Sequence, residues 1–288
     1  MKFLIKFVSF FAILLLSSSL LAQGDIITAK EFKQLIKSNS DLIIIDVNKP
    51  NAFKKSHVKN AINVHQNDFI QNNEDIPGLL LPLDQLADYF GKKGISASSE
   101  IVIYDAGTQK YSSRVYWVLK YIGANNVKMV HKEMSQWGKA RIPLTSQVAN
   151  HEPVTFTPSE NTAIAANLDY VSINSTTATI ALVDARHHDE YVGEGDEAYD
   201  SSGHIPGAIH LDYKDLLEEN GAFKSAEALS SILEKKGITP DKEVIIYCNT
   251  GIFAAIEYIA LKNILNYNNV KVFEGSYYEW DANFESVN

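Results

Sequence analysis

Cysteine is almost missing from this chain: its 288 residues contain one, Cys248. An internal disulfide and a cysteine-rich zinc site are therefore excluded. Positive charge is also in short supply. With 26 Lys and Arg against 35 Asp and Glu, the formal net charge is −9, which leaves no basic face for a nucleic acid. Beyond the N-terminal segment no stretch is apolar enough to span a bilayer. No heptad and no Gly-X-Y period runs through the chain, so coiled coil and collagen are excluded. Aromatics at 10% and a hydrophobic content of 45% speak against disorder and for a buried core.

The N-terminus reads as an address. Lys2 and Lys6 precede an uncharged run from Phe7 to Leu16, followed by Ser17, Ser18, Ser19, Leu20, Leu21 and Ala22. A cationic start, a short apolar stretch and a small residue before Gln23 form the pattern of a secretory signal peptide over residues 1–22. Its removal takes both lysines, so the mature charge falls from −9 to −11. The expected location is periplasmic or secreted, with no stable membrane insertion after cleavage.

The rest of the chain is a duplication. Lys92-Lys93-Gly94-Ile95 recurs as Lys235-Lys236-Gly237-Ile238, and Ile103-Tyr104 as Ile246-Tyr247. Asn125-Asn126-Val127-Lys128 recurs as Asn268-Asn269-Val270-Lys271, and Trp137 as Trp280, all at an offset of 143. Upstream, Ile45-Asp46 pairs with Val183-Asp184, and His57-Val58 with His204-Ile205, at offsets of 138 and 147. The difference marks an insertion in the second copy between Gly193 and Ser202. Two homologous domains follow, over 23–148 and 161–288, with a polar, Pro-containing linker over 149–160. In each copy short β-branched runs alternate with helical spacing, as in Leu86, Tyr89 and Phe90 or Leu229, Ile232 and Leu233. Gly237 supplies a helix stop. The expected fold is α/β, each domain a mostly parallel sheet with helices on both faces.

In such sheets function gathers at the carboxyl ends of strands. Val244-Ile245-Ile246-Tyr247 runs into Cys248-Asn249-Thr250-Gly251-Ile252-Phe253, after which Phe253, Ile256, Ile259 and Ala260 form an apolar helical stripe. A cysteine between a strand end and a helix N-terminus faces unpaired N–H groups, a setting that lowers a thiol pKa and yields a nucleophilic thiolate. Gly251 permits a tight loop whose amides converge on the sulfur. The alternative from spacing alone is a small buried hydrophobe.

The chain resembles the tandem-domain rhodanese-type sulfurtransferases. The resemblance rests on Leu182-Val183-Asp184-Ala185-Arg186, on Gly203-His204-Ile205-Pro206-Gly207-Ala208, on the Cys248 loop and on Val272-Phe273-Glu274-Gly275-Ser276-Tyr277-Tyr278-Glu279-Trp280. It implies two rhodanese-like domains, the first inactive, since Asp105 stands where the repeat places Cys248. It also implies transfer of sulfur from a small anionic donor (thiosulfate or 3-mercaptopyruvate) to cyanide or a thiol through a Cys248 persulfide, with no metal or organic cofactor. Asn249, Thr250, Gly251, Ile252 and Phe253 are the candidate substrate-binding loop. Arg186 is the candidate grip on the donor's anionic group; its alternative is a salt bridge with Glu190 or Glu194. The loop is uncharged, whereas thiosulfate-preferring members often carry cations there and mercaptopyruvate-preferring ones Gly-Ser-Gly. Thr250 keeps a hydroxyl, and Phe253 is expected to pack in the core.

A phosphatase of the related cysteine-loop type is disfavoured, because neither Phe253 nor Ala254 nor Ala255 supplies the arginine clamp. A histidine metal site from His187, His188, His204 and His210 lacks ligand spacing. The remaining rival is an exported sulfur-carrier or binding module that keeps the fold without rapid turnover.

Overall fold

A computed structural model describes residues 24–131, 139–195 and 203–287. The signal segment, Trp137 and most of the second-copy insertion lie outside the described residues. Each copy builds a five-stranded, all-parallel sheet. In the first the order is Ile26–Ile27, Asn126–Val130, Glu100–Tyr104, Ile43–Asp46 and Ala61–Asn63. In the second it is Ala165–Ala166, Val270–Phe273, Glu243–Tyr247, Ile180–Asp184 and Ile209–His210. The central strands are continuous apolar runs because both sheet faces are covered, and Tyr104 and Tyr247 end them at equivalent places. Asp105 and Cys248 are the next residues.

Local chemistry sets the helix ends. Thr28 and Glu31 form a capping box on the helix Ala29–Ser38, with the Glu31 amide donating to Thr28 Oγ1 at 3.2 Å and the Thr28 amide to Glu31 Oε2 at 2.7 Å. The helices Leu83–Lys92 and Ala226–Lys235 bury Leu86 and Phe90, and Leu229 and Leu233. Each is followed by a glycine in the left-handed region, Gly94 (φ 80°) and Gly237 (φ 71°), which lets the chain turn out of the helix.

One apolar cluster spans the two copies, and each copy has a second cluster of its own. The helix Lys110–Tyr121 of the first packs against the helix Ile252–Tyr258 of the second, and Val115 to Leu119 join Ala254, Ala255, Ile256 and Leu261 in one apolar cluster. This is why the second helix is buried nearly all round rather than on one stripe. Trp117 is fully buried at this junction, stacked on Tyr121 at 5.2 Å, and its indole N–H donates to the Ile164 carbonyl at 3.3 Å.

The register of the repeat shifts inside this pair. The helices open from left-handed residues Gln109 (φ 60°) and Gly251 (φ 79°), an offset of 142. The second helix then continues as a π segment over Ile259–Ile264, whose wider turn takes up one more residue. The offset of 143 is back by the left-handed pair Gly123 and Asn266.

Candidate active site

The central strand of the second sheet delivers Cys248 to a loop held from two sides. Its amide donates to Ser276 Oγ at 3.4 Å and its carbonyl accepts from the Tyr277 amide at 2.8 Å, so the Gly275-Ser276 turn fixes the backbone. Gly251 then takes φ 79°, turning the chain into the helix. The amides of Thr250, Phe253 and Ala254 face the sulfur. The cup of amides expected from the sequence is present.

The expected acidity is not. Cys248 is 1% exposed, and burial pushes its thiol pKa up, against the pull of the Ala254, Thr250 and Phe253 amides and of the Arg114 charge. Desolvation wins because removing water from a thiolate costs more than three amide donors and one cation together return.

The cover over it comes from the first copy. A Cβ on Gly78 would collide with the Thr250 side chain, and a Cβ on Gly251 would collide with Nη1 of Arg114. Gly251 is thus favoured twice, by its backbone angle and by the arginine above it. Arg114 is 2% exposed, and its Nη2 lies 3.5 Å from Glu274 Oε1. Glu274 Oε1 also accepts the Leu80 amide at 2.9 Å, tying the 78–80 segment to the second copy.

The other loop positions divide. Asn249 is buried, and its Nδ2 donates to Glu190 Oε1 at 2.6 Å, while Glu190 Oε2 accepts the His187 amide at 3.1 Å. Ile252 is half-buried as the first helical residue. Phe253 packs against the core as expected, from its edge. It is half-buried at the loop's edge, stacked on Tyr213 at 4.2 Å with His187 at 5.8 Å, and Lys110 Nζ sits 4.9 Å above its ring.

Arg186 does not take the role its sequence position suggested. It is 0% exposed, and its Nε and Nη2 donate to the Asp184 carboxylate at 3.0–3.1 and 2.6 Å. Nη2 also donates to the Gly203 carbonyl at 2.7 Å, and the guanidinium lies 3.7 Å from the Tyr277 ring centroid. Burial works against its charge, but the Asp184 hydrogen bonds and carboxylate outweigh it and raise its pKa. With Nε and Nη2 closed on Asp184, this arginine ties the end of Ile180–Asp184 to Gly203, and only its buried Nη1 is left without a partner. Its partner is neither Glu190 nor Glu194.

His187, His204 and His210 each place a ring nitrogen on a neighbour: the Asp212 carboxylate and the Tyr191 and Arg186 carbonyls respectively. Sequence reasoning missed Lys110, Arg114, Glu190 and Glu274. A signal for Arg114 exists, since it is a lone cation amid Tyr111, Val115, Tyr116, Trp117 and Val118, where a bland helix would carry an apolar residue.

The profile of the rhodanese-like domain matches residues 28–140 and 168–283. The thiosulfate sulfurtransferase of Bos taurus is 31% identical over 209 residues, covering 70% of each chain. The sulfur carrier protein TtuD of Thermus thermophilus is 31% identical over 208 residues, covering 68% of this chain and 73% of its own. Among solved structures, the 3-mercaptopyruvate sulfurtransferase SseA of Escherichia coli superposes with a TM-score of 0.78 at 22% identity, over 88% of this chain and 99% of its own.

Proposed function

We propose, for a chain that belongs to the rhodanese family and is a sulfurtransferase, that sulfur passes through a persulfide on Cys248. In the first half-reaction the Cys248 thiolate attacks the outer sulfur of thiosulfate. The S–S bond breaks, its electron pair leaves on sulfite, and Cys248 holds the sulfur as a persulfide anion. With 3-mercaptopyruvate the same attack breaks the C–S bond and leaves pyruvate once its carbanion takes a proton. In the second half-reaction cyanide or a thiolate attacks the outer sulfur and Cys248 departs as thiolate. Covalent transfer divides one exchange into two easier steps, and the amides of Thr250, Phe253 and Ala254 stabilise the anion in each. The observation that carries the reading is this cup of amides aimed at the chain's one sulfhydryl. Asn249 to Phe253 form the donor-facing loop. Incubation with thiosulfate should add 32 Da (the mass of one sulfur atom), and cyanide should remove it as thiocyanate; an unchanged mass with either donor defeats the reading.

A second reading, a carrier that hands its sulfur to a partner protein, is favoured by the cover over Cys248 and by the likeness to TtuD. It would leave a persulfide stable to cyanide and discharged only to protein thiols. Export is part of the proposal: the cationic start and short apolar run of Met1–Ala22 support a cleaved signal. Fractionation with N-terminal sequencing should find a mature chain starting near Gln23 outside the cytoplasm.

A further inference from the structure

The Cys248 loop contains no cation, yet its chemistry is anionic at every stage: thiolate, sulfur donor, persulfide. Two positive side chains reach it from the other copy. Lys110 and Arg114 lie one turn apart on the helix Lys110–Tyr121, so they share a face, and that face abuts the loop. Arg114 is buried, neither of its terminal nitrogens has a hydrogen-bond partner among the described residues, and its Nη2 lies 3.5 Å from Glu274. Orphaned guanidinium N–H groups are costly in a closed interface, and these point where Gly251 leaves room. Lys110 is half-buried at the rim, its Nζ 4.9 Å from the Phe253 ring and 5.2 Å from the Tyr213 ring.

We propose that the copy without the cysteine supplies the positive charge of the active site, with Arg114 as the counter-ion of the sulfur anion on Cys248 and Lys110 as the outer contact for the donor's sulfonate or carboxylate. This rests on the persulfide reading and assigns the donor grip to the first domain. It also explains how an uncharged loop on a protein of net charge −9 receives an anion: the attraction is local and crosses the domain boundary. Arg114 opposes the desolvation of the sulfur, and Glu274 weakens it by sharing its charge.

The test is a paired kinetic and titration experiment on the full mature chain. Arg114→Gln should raise the midpoint of the thiolate absorbance titration and slow persulfidation by thiosulfate about tenfold at fixed pH, with Arg114→Lys recovering part of both. Lys110→Gln should raise KM for thiosulfate several-fold with kcat kept, and flatten the dependence of kcat/KM on salt. If Arg114→Gln does not fold by circular dichroism, Glu274→Gln carries the test, because it frees Arg114 from its carboxylate and should lower the thiolate midpoint. Unchanged midpoints in the arginine and glutamate variants, or an unchanged KM in Lys110→Gln, overturn the assignment. A wild-type protein that takes no sulfur from thiosulfate or mercaptopyruvate defeats the persulfide reading instead, so the two failures are distinguishable.

Discussion

The two strand-end loops occupy equivalent places in the two sheets and do opposite things with them. In the first, the Asp105 carboxylate accepts the Gly107 amide at 2.5 Å, Thr108 Oγ1 at 3.2 Å and Ser112 Oγ at 3.1 Å. Its donors are its own neighbours, and the loop is chemically closed. In the second, Asn249 faces away to Glu190, and the amides of Thr250, Phe253 and Ala254 are directed at sulfur. The lesson is that related strand-end loops, differing by one residue in length, serve as a self-satisfied anion site or as a reactive one, depending on whether the side chain that opens them is a terminal acceptor or a nucleophile. The copy without the nucleophile covers the one that has it, through Gly78, Lys110 and Arg114.

The sharpest break in that contrast is Cys248→Ser. It should abolish sulfur loading and thiocyanate formation while circular dichroism and melting stay near wild type, because Cys248 is a small member of a large core. Next comes pH. Only thiolate attacks, and burial raises the thiol pKa, so the wild-type loading rate should climb about tenfold per pH unit and keep climbing past the ordinary thiol range. A plateau at neutral pH in a stopped-flow series would contradict a desolvated resting thiol. Trp117→Ala, at the junction of the copies, should cost about 3–5 kcal/mol in urea unfolding and uncover Cys248 to thiol reagents.

A smaller effect concerns Glu257, sixth after Gly251, where the equivalent residue after Gln109 is the buried Val115. Both its carboxylate oxygens lack a partner. Burial, then Asp184, Asp212 and Asp215, push its pKa well up, against Lys236. A folded-state pKa above the unfolded value means its contribution is whole below the unfolded pKa and is lost as pH rises toward the folded one. Glu257→Leu should therefore stabilise the protein by roughly 1–3 kcal/mol, with the gain widening from acid to neutral pH in thermal melts. The smallest effect is Asp105→Asn. It weakens the closed loop by about 1 kcal/mol and leaves sulfur transfer unchanged; a fall in turnover would show that the first loop is not silent.

Much of this was legible in the chain. The duplication, the parallel strands and the placement of Cys248 after the central strand depend on contiguous residues whose pattern survives in one dimension. So do Gly237 as a helix stop and Gly251 as the loop's turn. What escaped depends on contacts between distant segments. Arg186 reads as an exposed grip because it follows a strand end, yet its fate is set by Asp184, by Gly203 and by the Tyr277 ring. The sulfur's acidity was misjudged because helix position argues for a low pKa while the covering copy removes the water. Arg114 and Glu274 lie 160 positions apart in the chain and meet only because two helices of different copies pack face to face.

The π turn at Ile259–Ile264 carries a lesson of its own. It works as a slack-absorber: the loop ahead of it is one residue shorter than its counterpart, and the bulge restores the phase before the next strand begins. Reactive loops in a repeated scaffold are therefore open to trimming or lengthening by single residues, since a helix downstream can take up the count and leave every later strand pairing where it was.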